Sequence, residues 1–296
     1  MVPEPRRLVA ELLVDAGAAL GEGPVWDPQG ACLWWVDIDR GHVHRTDPVT
    51  LGDMVIDVGQ PVGAVALRGR GGLVAAVRDG FGAVDVDRGT FELHAPVESS
   101  VHDARMNDGK ADPAGRFWAG TMALDVAPGR GTLYRLDPDW TVTPMLPGLT
   151  ISNGLDWTAD ADVMYLIDSP TGRIDRLAFD IERGTIADRR PAFAIPPGMG
   201  DPDGMTLDAE GYLWVALWDG WAVARFAPDG RLDTVVDVPA QQVSCPTFGG
   251  RGLDGLFITT ARGGLDAEAM ARQPHAGGVF VCEPGVRGRE ANRFRG

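Results

Sequence analysis

The chain has 296 residues, of which 44% are hydrophobic, and 42 acidic against 27 basic residues give a formal net charge of −15. This length suffices for one large hydrophobic core or two small ones. The acidic excess argues against a nucleic-acid partner, because nucleic-acid surfaces need clustered Lys and Arg, and here the basic residues are scattered. The charge favours solubility and leaves room for carboxylates that hold a cation.

The N-terminal stretch disfavours a secretory signal. Glu11 and Asp15 interrupt its apolar residues, and no apolar run of the chain reaches the length of a membrane span. The three cysteines lie far apart and in no metal-ligand spacing, so neither a disulfide framework nor a thiolate zinc site is supported. We therefore expect a cytoplasmic protein with no membrane partner.

Short strands are predicted along almost the whole chain. Forty Gly and 22 Pro residues separate aromatic and β-branched clusters, which is typical of strands joined by tight turns. The clusters recur after gaps of 40, 44, 47, 49 and 43 residues, as LWWVD at Leu33, LVAAV at Leu73, FWAGT at Phe117, MYLID at Met164, LWVAL at Leu213 and LFITT at Leu256. Only Leu265 to Gln273 is predicted to form a short helical turn.

Six copies of this repeat predict the architecture. The period is typical of an all-β fold, a six-bladed β-propeller of four-stranded antiparallel blades, which would form one domain over residues 1–296. A two-sheet sandwich is the alternative, but it would not require the same turn-strand-turn-strand unit six times. We expect the stretch RRLVAELLVDAG, from Arg6 onward, to complete the last blade, because ring closure removes an exposed sheet edge.

One register of the repeat carries oxygen-bearing side chains. Ten or eleven residues before the aromatic strand, four copies have Glu22, Asn107, Asn153 and Asp203. The other two copies have Val62 or Gly63 and Cys245 or Pro246 there. Because equivalent positions of a radial repeat surround one axis, we expect the four side chains to converge at one mouth of the central channel. Carboxylate and amide oxygens suit Ca²⁺, Mg²⁺ or Mn²⁺, and zinc or iron(II) is also possible.

Turn formation is the competing interpretation of these residues. Asn153-Gly154 and Asp203-Gly204 are common turn dipeptides, and NDG at Asn107 fits a turn without any ligand role. The shared register with Glu22, which has no strong turn preference, favours a ligand role. We predict that Asn153 stands in a turn-like position facing the channel and donates its amide oxygen to the metal. The following Gly would allow backbone and substrate to approach closely.

Six separated segments resemble one known family. GEGPVW, RMNDGKADPAGRFWAGTM, ISNGLDWTAD, DPDGMTLDAEGYLWVALW, CPTFGG and ARQPHAGGVF together resemble the gluconolactonase family that includes regucalcin, also called senescence marker protein. The resemblance extends from about residue 20 to about residue 280. It implies a six-bladed propeller with one catalytic divalent metal ion at the channel mouth, held by Glu22, Asn153 and Asp203.

The resemblance also implies substrate contacts. Arg105 and Asn107 match the Arg and Asn that contact substrate oxygens in relatives. Some members place a further acid after the AGTM strand, and here AGTMALD offers Asp125, with Leu124 before it. We predict Asp125 as a third substrate contact, with a pocket altered by this departure.

Lactone hydrolysis is the reaction that the resemblance implies, commonly of an aldonolactone to its open acid. A divalent cation would polarise the lactone carbonyl for attack by water, and we predict Asp203 as the catalytic base. A second water, or hydroxide generated on the metal, is the alternative base. Hydrolysis of other lactones, esters or phosphotriesters on the same metal site and a non-catalytic calcium-binding propeller are the alternative functions. We expect a small-molecule lactone as partner and a monomer or weak homodimer.

Overall fold

The computed structural model describes residues 4–296, which form antiparallel sheets almost throughout. Two short strands come first, β1 (Arg6–Val9) and β2 (Glu11–Val14). The next four strands form a four-stranded antiparallel sheet in chain order: β3 (Gly21–Asp27), β4 (Cys32–Asp37), β5 (His42–Thr46) and β6 (Asp53–Asp57).

Three further four-stranded antiparallel sheets follow along the chain. The second sheet consists of β7 (Val62–Leu67), β8 (Leu73–Val77), β9 (Gly80–Asp85) and β10 (Thr90–Pro96). The third consists of β11 (Ala104–Ala111), β12 (Phe117–Ala123), β13 (Gly131–Leu136) and β14 (Val142–Leu149). The fourth consists of β15 (Ser152–Trp157), β16 (Val163–Asp168), β17 (Arg173–Asp180) and β18 (Thr185–Ala194), with a 3-10 turn at Ser169–Thr171.

The remaining strands belong to one nine-stranded sheet. Besides β1 and β2, its strands are β19 (Asp201–Leu207), β20 (Leu213–Trp218), β21 (Ala222–Phe226), β22 (Leu232–Asp237), β23 (Gln242–Gly249), β24 (Gly255–Ala261) and β25 (Val279–Cys282). Between the last two lies the helix α1 (Ala267–Arg272), inside the predicted helical turn. The predicted all-β, propeller-like fold with four-stranded antiparallel sheets is thus confirmed.

The N-terminal stretch departs from its predicted place. β2 pairs antiparallel with β25, as expected, but β1 pairs parallel with β22. The chain switches partner at Ala10, whose N–H donates to the carbonyl of Asp237 at 2.9 Å. One stretch of sequence therefore closes both ends of the nine-stranded sheet and leaves neither β22 nor β25 as a bare edge.

The sequence Asp-x-x-Gly precedes three of the aromatic strands, as DPQG, DPAG and DAEG, and in the last two copies a buried aspartate holds the turn. Asp208 accepts hydrogen bonds from the N–H groups of Glu210 and Tyr212, and its other oxygen accepts from the indole N–H of Trp214 at 3.0 Å. Asp112, two repeats earlier, makes the same set of bonds to its own turn and to Trp118. The turn and the aromatic strand after it are therefore one hydrogen-bonded unit, which is why the two recur together in the sequence.

Buried apolar side chains from neighbouring sheets make up the core between them. Trp118, Leu155 and Trp157, for example, pack in one cluster although they come from the third and fourth sheets. The first strands of the sheets are buried on both faces: every residue of β7 and β15 is buried. Within residues 4–296, no helix has the length and apolar character needed to cross a membrane.

Candidate metal and substrate site

The four predicted site residues of the repeat register meet at one cavity, which Arg105 also lines. Glu22, Asn107, Asn153 and Asp203 come from β3, β11, β15 and β19, and each is at most 6% exposed. The cavity, called the site cavity below, has a volume of about 320 Å³. Its walls are Leu20, Glu22, Arg105, Asn107, Met122, Ile151, Asn153, Ser169, Asp201, Asp203 and Trp218. The register of the repeat thus identified residues that lie together.

A β-bulge lies at the shared register in the first strand of all six repeats. These strands, called the inner strands below, are β3, β7, β11, β15, β19 and β23. The pairing shifts between Glu22/Val25, Val62/Ala64, Met106/Gly109, Asn153/Leu155, Pro202/Met205 and Val243/Cys245. A bulge re-aims a side chain without ending the strand. Asn153-Gly154 and Asp203-Gly204 therefore lie inside strands, so the turn interpretation is wrong, and the turn-like position predicted for Asn153 is a bulge.

The glycines after the site residues let neighbouring strands approach. A Cβ on Gly154 would lie 2.7 Å from the carbonyl oxygen of Asp203, and a Cβ on Gly204 would collide with the side chain of Cys245. Glycine is the residue that permits such backbone proximity. The close contact is with the next strand around the ring, which brings Asn153 and Asp203 to adjacent positions.

The two buried carboxylates of the site cavity, Glu22 and Asp203, carry a strong electrostatic cost. Burial, together with the charges of Asp203 and Asp108, raises the pKa of Glu22 well above its usual range. Burial and the charge of Asp108 do the same to the pKa of Asp203. Glu22 accepts one hydrogen bond, from the N–H of Gly23 at 2.9 Å. A cation bound between these carboxylates would offset the cost, because opposite charge favours the ionised form.

The amide of Asn153 supplies a third oxygen. Its Nδ2 donates to the hydroxyl of Ser169 at 2.9 Å, whereas its Oδ1 is buried and has no hydrogen-bond partner in the described part of the chain. A buried acceptor without a donor is costly unless something else binds it. Residues 4–296 contain no cluster of three or more His, Cys, Asp or Glu side chains placed for a metal. The oxygen donors gathered here are the carboxylates of Glu22 and Asp203 and the amide oxygen of Asn153. This donor set fits a hard divalent cation.

Arg105 and Asn107 form a linked pair beside these ligands. Arg105 Nη1 donates to Asn107 Oδ1 at 2.6 Å, and Asn107 Nδ2 donates to the carbonyl of Ser152 at 2.9 Å. Asn107 therefore has both ends of its amide engaged, unlike Asn153. Burial lowers the pKa of Arg105, and Arg remains cationic because its pKa is so high. The pair places a fixed positive charge in the wall of the site cavity.

Asp125 is the predicted site residue that the structure does not bring to the cavity. It is exposed in the turn after β12, where its carboxylate accepts a hydrogen bond from the N–H of Ala127 at 3.0 Å. The residues that line the site cavity do not include it. Its contact with substrate stays a prediction.

Sequence reasoning missed several cavity residues. Asp201 lies two residues before Asp203 on β19, and alternate residues of a strand share a face, so the period of two could have identified it. Ser169 follows β16 and gives no comparable signal. Leu20, Met122 and Ile151 give one wall an apolar character.

A second cavity, called the rear cavity below, lies against the opposite halves of the same strands. Its volume is about 200 Å³, and its charged walls include Asp108, Lys110, Asp156 and Arg289. Asp156 pairs with Lys110 at 3.2 Å and with Arg289 at 3.4 Å, and it also accepts from the N–H of Leu207 at 2.9 Å. Although burial opposes the shift, these two cations lower the pKa of Asp156.

Residues 287–294, called the C-terminal strap below, cross this second side of the ring. Hydrogen bonds or ion pairs tie the strap to the far end of every inner strand or the turn after it. The partners are Asp27, Leu67, Ala111, Trp157, Ala209 and Leu253. Phe294 of the strap is fully buried. The rear cavity is therefore covered by the strap, and the site cavity lies on the other side.

Comparisons with known proteins identify the family of the chain. Residues 20–262 match the family described as SMP-30/Gluconolactonase/LRE-like region. The chain belongs to this family. Regucalcin of Macaca fascicularis is 38% identical over 94% of this chain and 95% of its own length. The putative sugar lactone lactonase YvrE of Bacillus subtilis is 35% identical over 97% and 99%.

A solved structure of the family shows the same fold. It is a calcium-binding protein, regucalcin, from Agrobacterium tumefaciens, and it is 29% identical with a TM-score of 0.94. The match covers 99% of each chain. All four predicted residues of the repeat register lie inside the region that matches the family.

Proposed function

We propose that the protein hydrolyses a sugar lactone to the corresponding sugar acid with the help of one divalent cation in the site cavity. The observation that carries the proposal is the unpartnered Oδ1 of Asn153 in the same cavity as the buried carboxylates of Glu22 and Asp203. These three residues would hold the ion. The sugar lactonase name of the Bacillus relative supports the substrate class.

The residues of the cavity have distinct parts in this reaction. When bound, the cation supplies Lewis-acid polarisation of the lactone carbonyl. Asp203 accepts the proton of the attacking water, for which its position among the ligands is suited. Arg105, held by Asn107, binds oxygens of the substrate and then the carboxylate of the product, because a guanidinium pairs well with a carboxylate.

We also propose that the nine-stranded sheet consists of two blades, which gives six in all. Its two halves are joined between β20 and β23 by the single pair Trp218 and Gln242. Each half contains its own bulged inner strand, β19 or β23, and each receives one N-terminal strand. The six bulges then stand at equivalent places around one axis.

The first test is hydrolysis by the chelator-stripped protein. Acid release from a panel of aldonolactones is followed with a pH indicator while Ca²⁺, Mg²⁺, Mn²⁺, Zn²⁺ or anaerobic Fe²⁺ is added back singly. We expect metal-dependent hydrolysis of one or a few lactones. The panel includes apolar lactones and a phosphotriester, because one wall of the cavity is apolar. If only these compounds are hydrolysed, the substrate is not a sugar lactone. Full activity without metal would refute the proposed metal site.

A further inference from the structure

The hydroxyl of Ser169 lies between two of the proposed metal ligands. It accepts a hydrogen bond from Asn153 Nδ2 at 2.9 Å and donates one to the carbonyl of Pro202 at 2.7 Å. Pro202 directly precedes Asp203 on β19, whereas Asn153 is on β15. Ser169 is only 8% exposed and lines the site cavity. One side chain thus connects the two strands that carry Asn153 and Asp203.

The direction of these bonds follows from the chemistry of the groups. A hydroxyl has one proton to donate, and the carbonyl of Pro202 can only accept. The proton of Ser169 is therefore directed to Pro202, and the hydroxyl oxygen can only accept from Asn153. The amide of Asn153 must turn its NH₂ group toward Ser169, which leaves Oδ1 as the end that faces away from it.

Orientation matters because only one end of an amide can bind a cation. The oxygen has lone pairs, whereas the NH₂ group is a donor and repels positive charge. The Oδ1 that this network turns away from Ser169 is buried and has no hydrogen-bond partner among residues 4–296. A rotation of the amide by half a turn would present the NH₂ group to the metal instead.

The position of Ser169 is itself fixed by the backbone. Its N–H donates to the carbonyl of Ile151 at 3.3 Å, and the carboxylate of the preceding Asp168 accepts from the N–H of Ile151 at 2.9 Å. Asp168 also accepts from the N–H of Thr150 at 3.1 Å. The turn that carries Ser169 is therefore tied to the segment that leads directly into Asn153.

We propose that Ser169 is a positioning residue: its hydroxyl fixes the amide of Asn153 so that Oδ1 faces the cation, and it couples this ligand to the strand of Asp203. The inference rests on the metal site of the proposed function. It concerns affinity for the metal, which can be measured without any substrate. Partners that orient metal ligands are typically worth roughly 10- to 100-fold in metal affinity.

The test is calorimetric titration of Ca²⁺ into chelator-stripped protein. We expect Ser169→Ala to weaken binding roughly tenfold, and Ser169→Thr, which keeps a hydroxyl, to restore most of the affinity. Thr46→Val is the matched control. Thr46 is buried in β5, outside the site cavity, and its hydroxyl likewise accepts one bond, from Trp35, and donates one, to Asp53. The control variant should lose stability but bind Ca²⁺ as the wild type does.

A double-mutant cycle separates orientation from a general packing effect. In Asn153→Asp, both terminal atoms of the side chain are oxygens, so no orientation is needed. Adding Ser169→Ala to the Asn153→Asp variant should then weaken Ca²⁺ binding less than about twofold, because Ser169 acts on binding through the amide that this variant lacks. An equal loss in both backgrounds, or wild-type affinity of Ser169→Ala, would overturn the positioning role. Absence of Ca²⁺ and other metal binding in the wild type would instead overturn the proposed function.

Discussion

The buried carboxylates at the two ends of the inner strands differ in whether they form ion pairs with neighbouring cations. At the rear cavity, Asp156 is paired with Lys110 and Arg289, and the strap covers the opening. At the site cavity, Glu22 and Asp203 are buried and form no ion pair within residues 4–296, although Arg105 lies in the same wall, and their pKa values are raised. The same strands therefore hold a paired ion network at one end and, at the other, two buried carboxylates beside a buried amide oxygen that has no hydrogen-bond partner within residues 4–296. A buried carboxylate that is paired with cations of the protein has a structural role. A buried carboxylate without such a partner indicates that a ligand binds there.

Removal of Asp203 should have the largest effect on activity. We expect Asp203→Ala to lower kcat/KM by about 10²- to 10⁴-fold, because it removes both a metal ligand and the base. The metal-free protein should not lose stability, since a buried unpaired carboxylate is removed. Initial rates at saturating metal and thermal unfolding measure the two effects. Asp201→Ala on the same strand is the control and should cost less than about tenfold; a fully active Asp203→Ala protein would contradict the mechanism.

At the rear cavity the corresponding change should affect stability instead. Asp156→Ala leaves the cations of Lys110 and Arg289 without their partner, so we expect unfolding to become easier by about 3 kcal/mol. Chemical denaturation of the metal-free protein measures this free energy. A loss below about 1 kcal/mol, within the range of exposed ion pairs, would show that the network is not structural.

Asp108 lines the rear cavity, but its charge also raises the pKa values of Glu22 and Asp203. Its titration therefore tests the comparison of the two cavities. Burial raises the pKa of Asp108 from 3.8 to about 6. A raised pKa means that the folded state holds the proton more tightly, so stability falls as the pH rises from about 4 to about 6. Asp108→Asn cannot ionise, and we expect it to stabilise the metal-free protein by about 2 kcal/mol at pH 7.5 and by little at pH 4. Thermal unfolding across this pH range checks the sign, and destabilisation at pH 7.5 would contradict it.

The smallest predicted effect concerns substrate binding. Arg105→Ala should raise KM roughly tenfold with little change in kcat, as expected for loss of one charge-assisted hydrogen bond. Asp125→Ala provides the comparison, because Asp125 is exposed outside the cavity. A KM within about twofold of the wild type would rule out the predicted substrate contact of Asp125. A rise as large as that of Arg105→Ala would show that Asp125 reaches the substrate after all.

The sequence predicted what repeats along the chain. The spacing of the aromatic strands predicted the sheets. The position ten or eleven residues before these strands identified Glu22, Asn107, Asn153 and Asp203, which lie around one cavity in the structure. The Asp-x-x-Gly turns were also visible, since each is a local hydrogen-bonded unit. Features of this kind depend on spacing along the chain, and spacing can be read from sequence.

Features that depend on packing between distant segments were not predictable. The bulges turned an apparent Asn-Gly turn into a strand position, because the pairing partner decides the register. Ser169 is 16 residues from Asn153 and has no motif of its own. The N-terminal stretch divides at Ala10 into β1, which pairs with β22, and β2, which pairs with β25. This division depends on how the sheet closes in three dimensions.

The long-range closure of the chain has a consequence for the order of folding. Arg7 on β1 binds Asp237, 230 residues away, and the bridge between Leu20 and Ala261 closes the ring beside Glu22. Contacts this distant form slowly, because a long loop must close before they contribute stability. Glu22 joins Asn153 and Asp203 only when this closure is complete. Tight Ca²⁺ binding during refolding should therefore appear with the last kinetic phase, so the metal would report on completion of the ring.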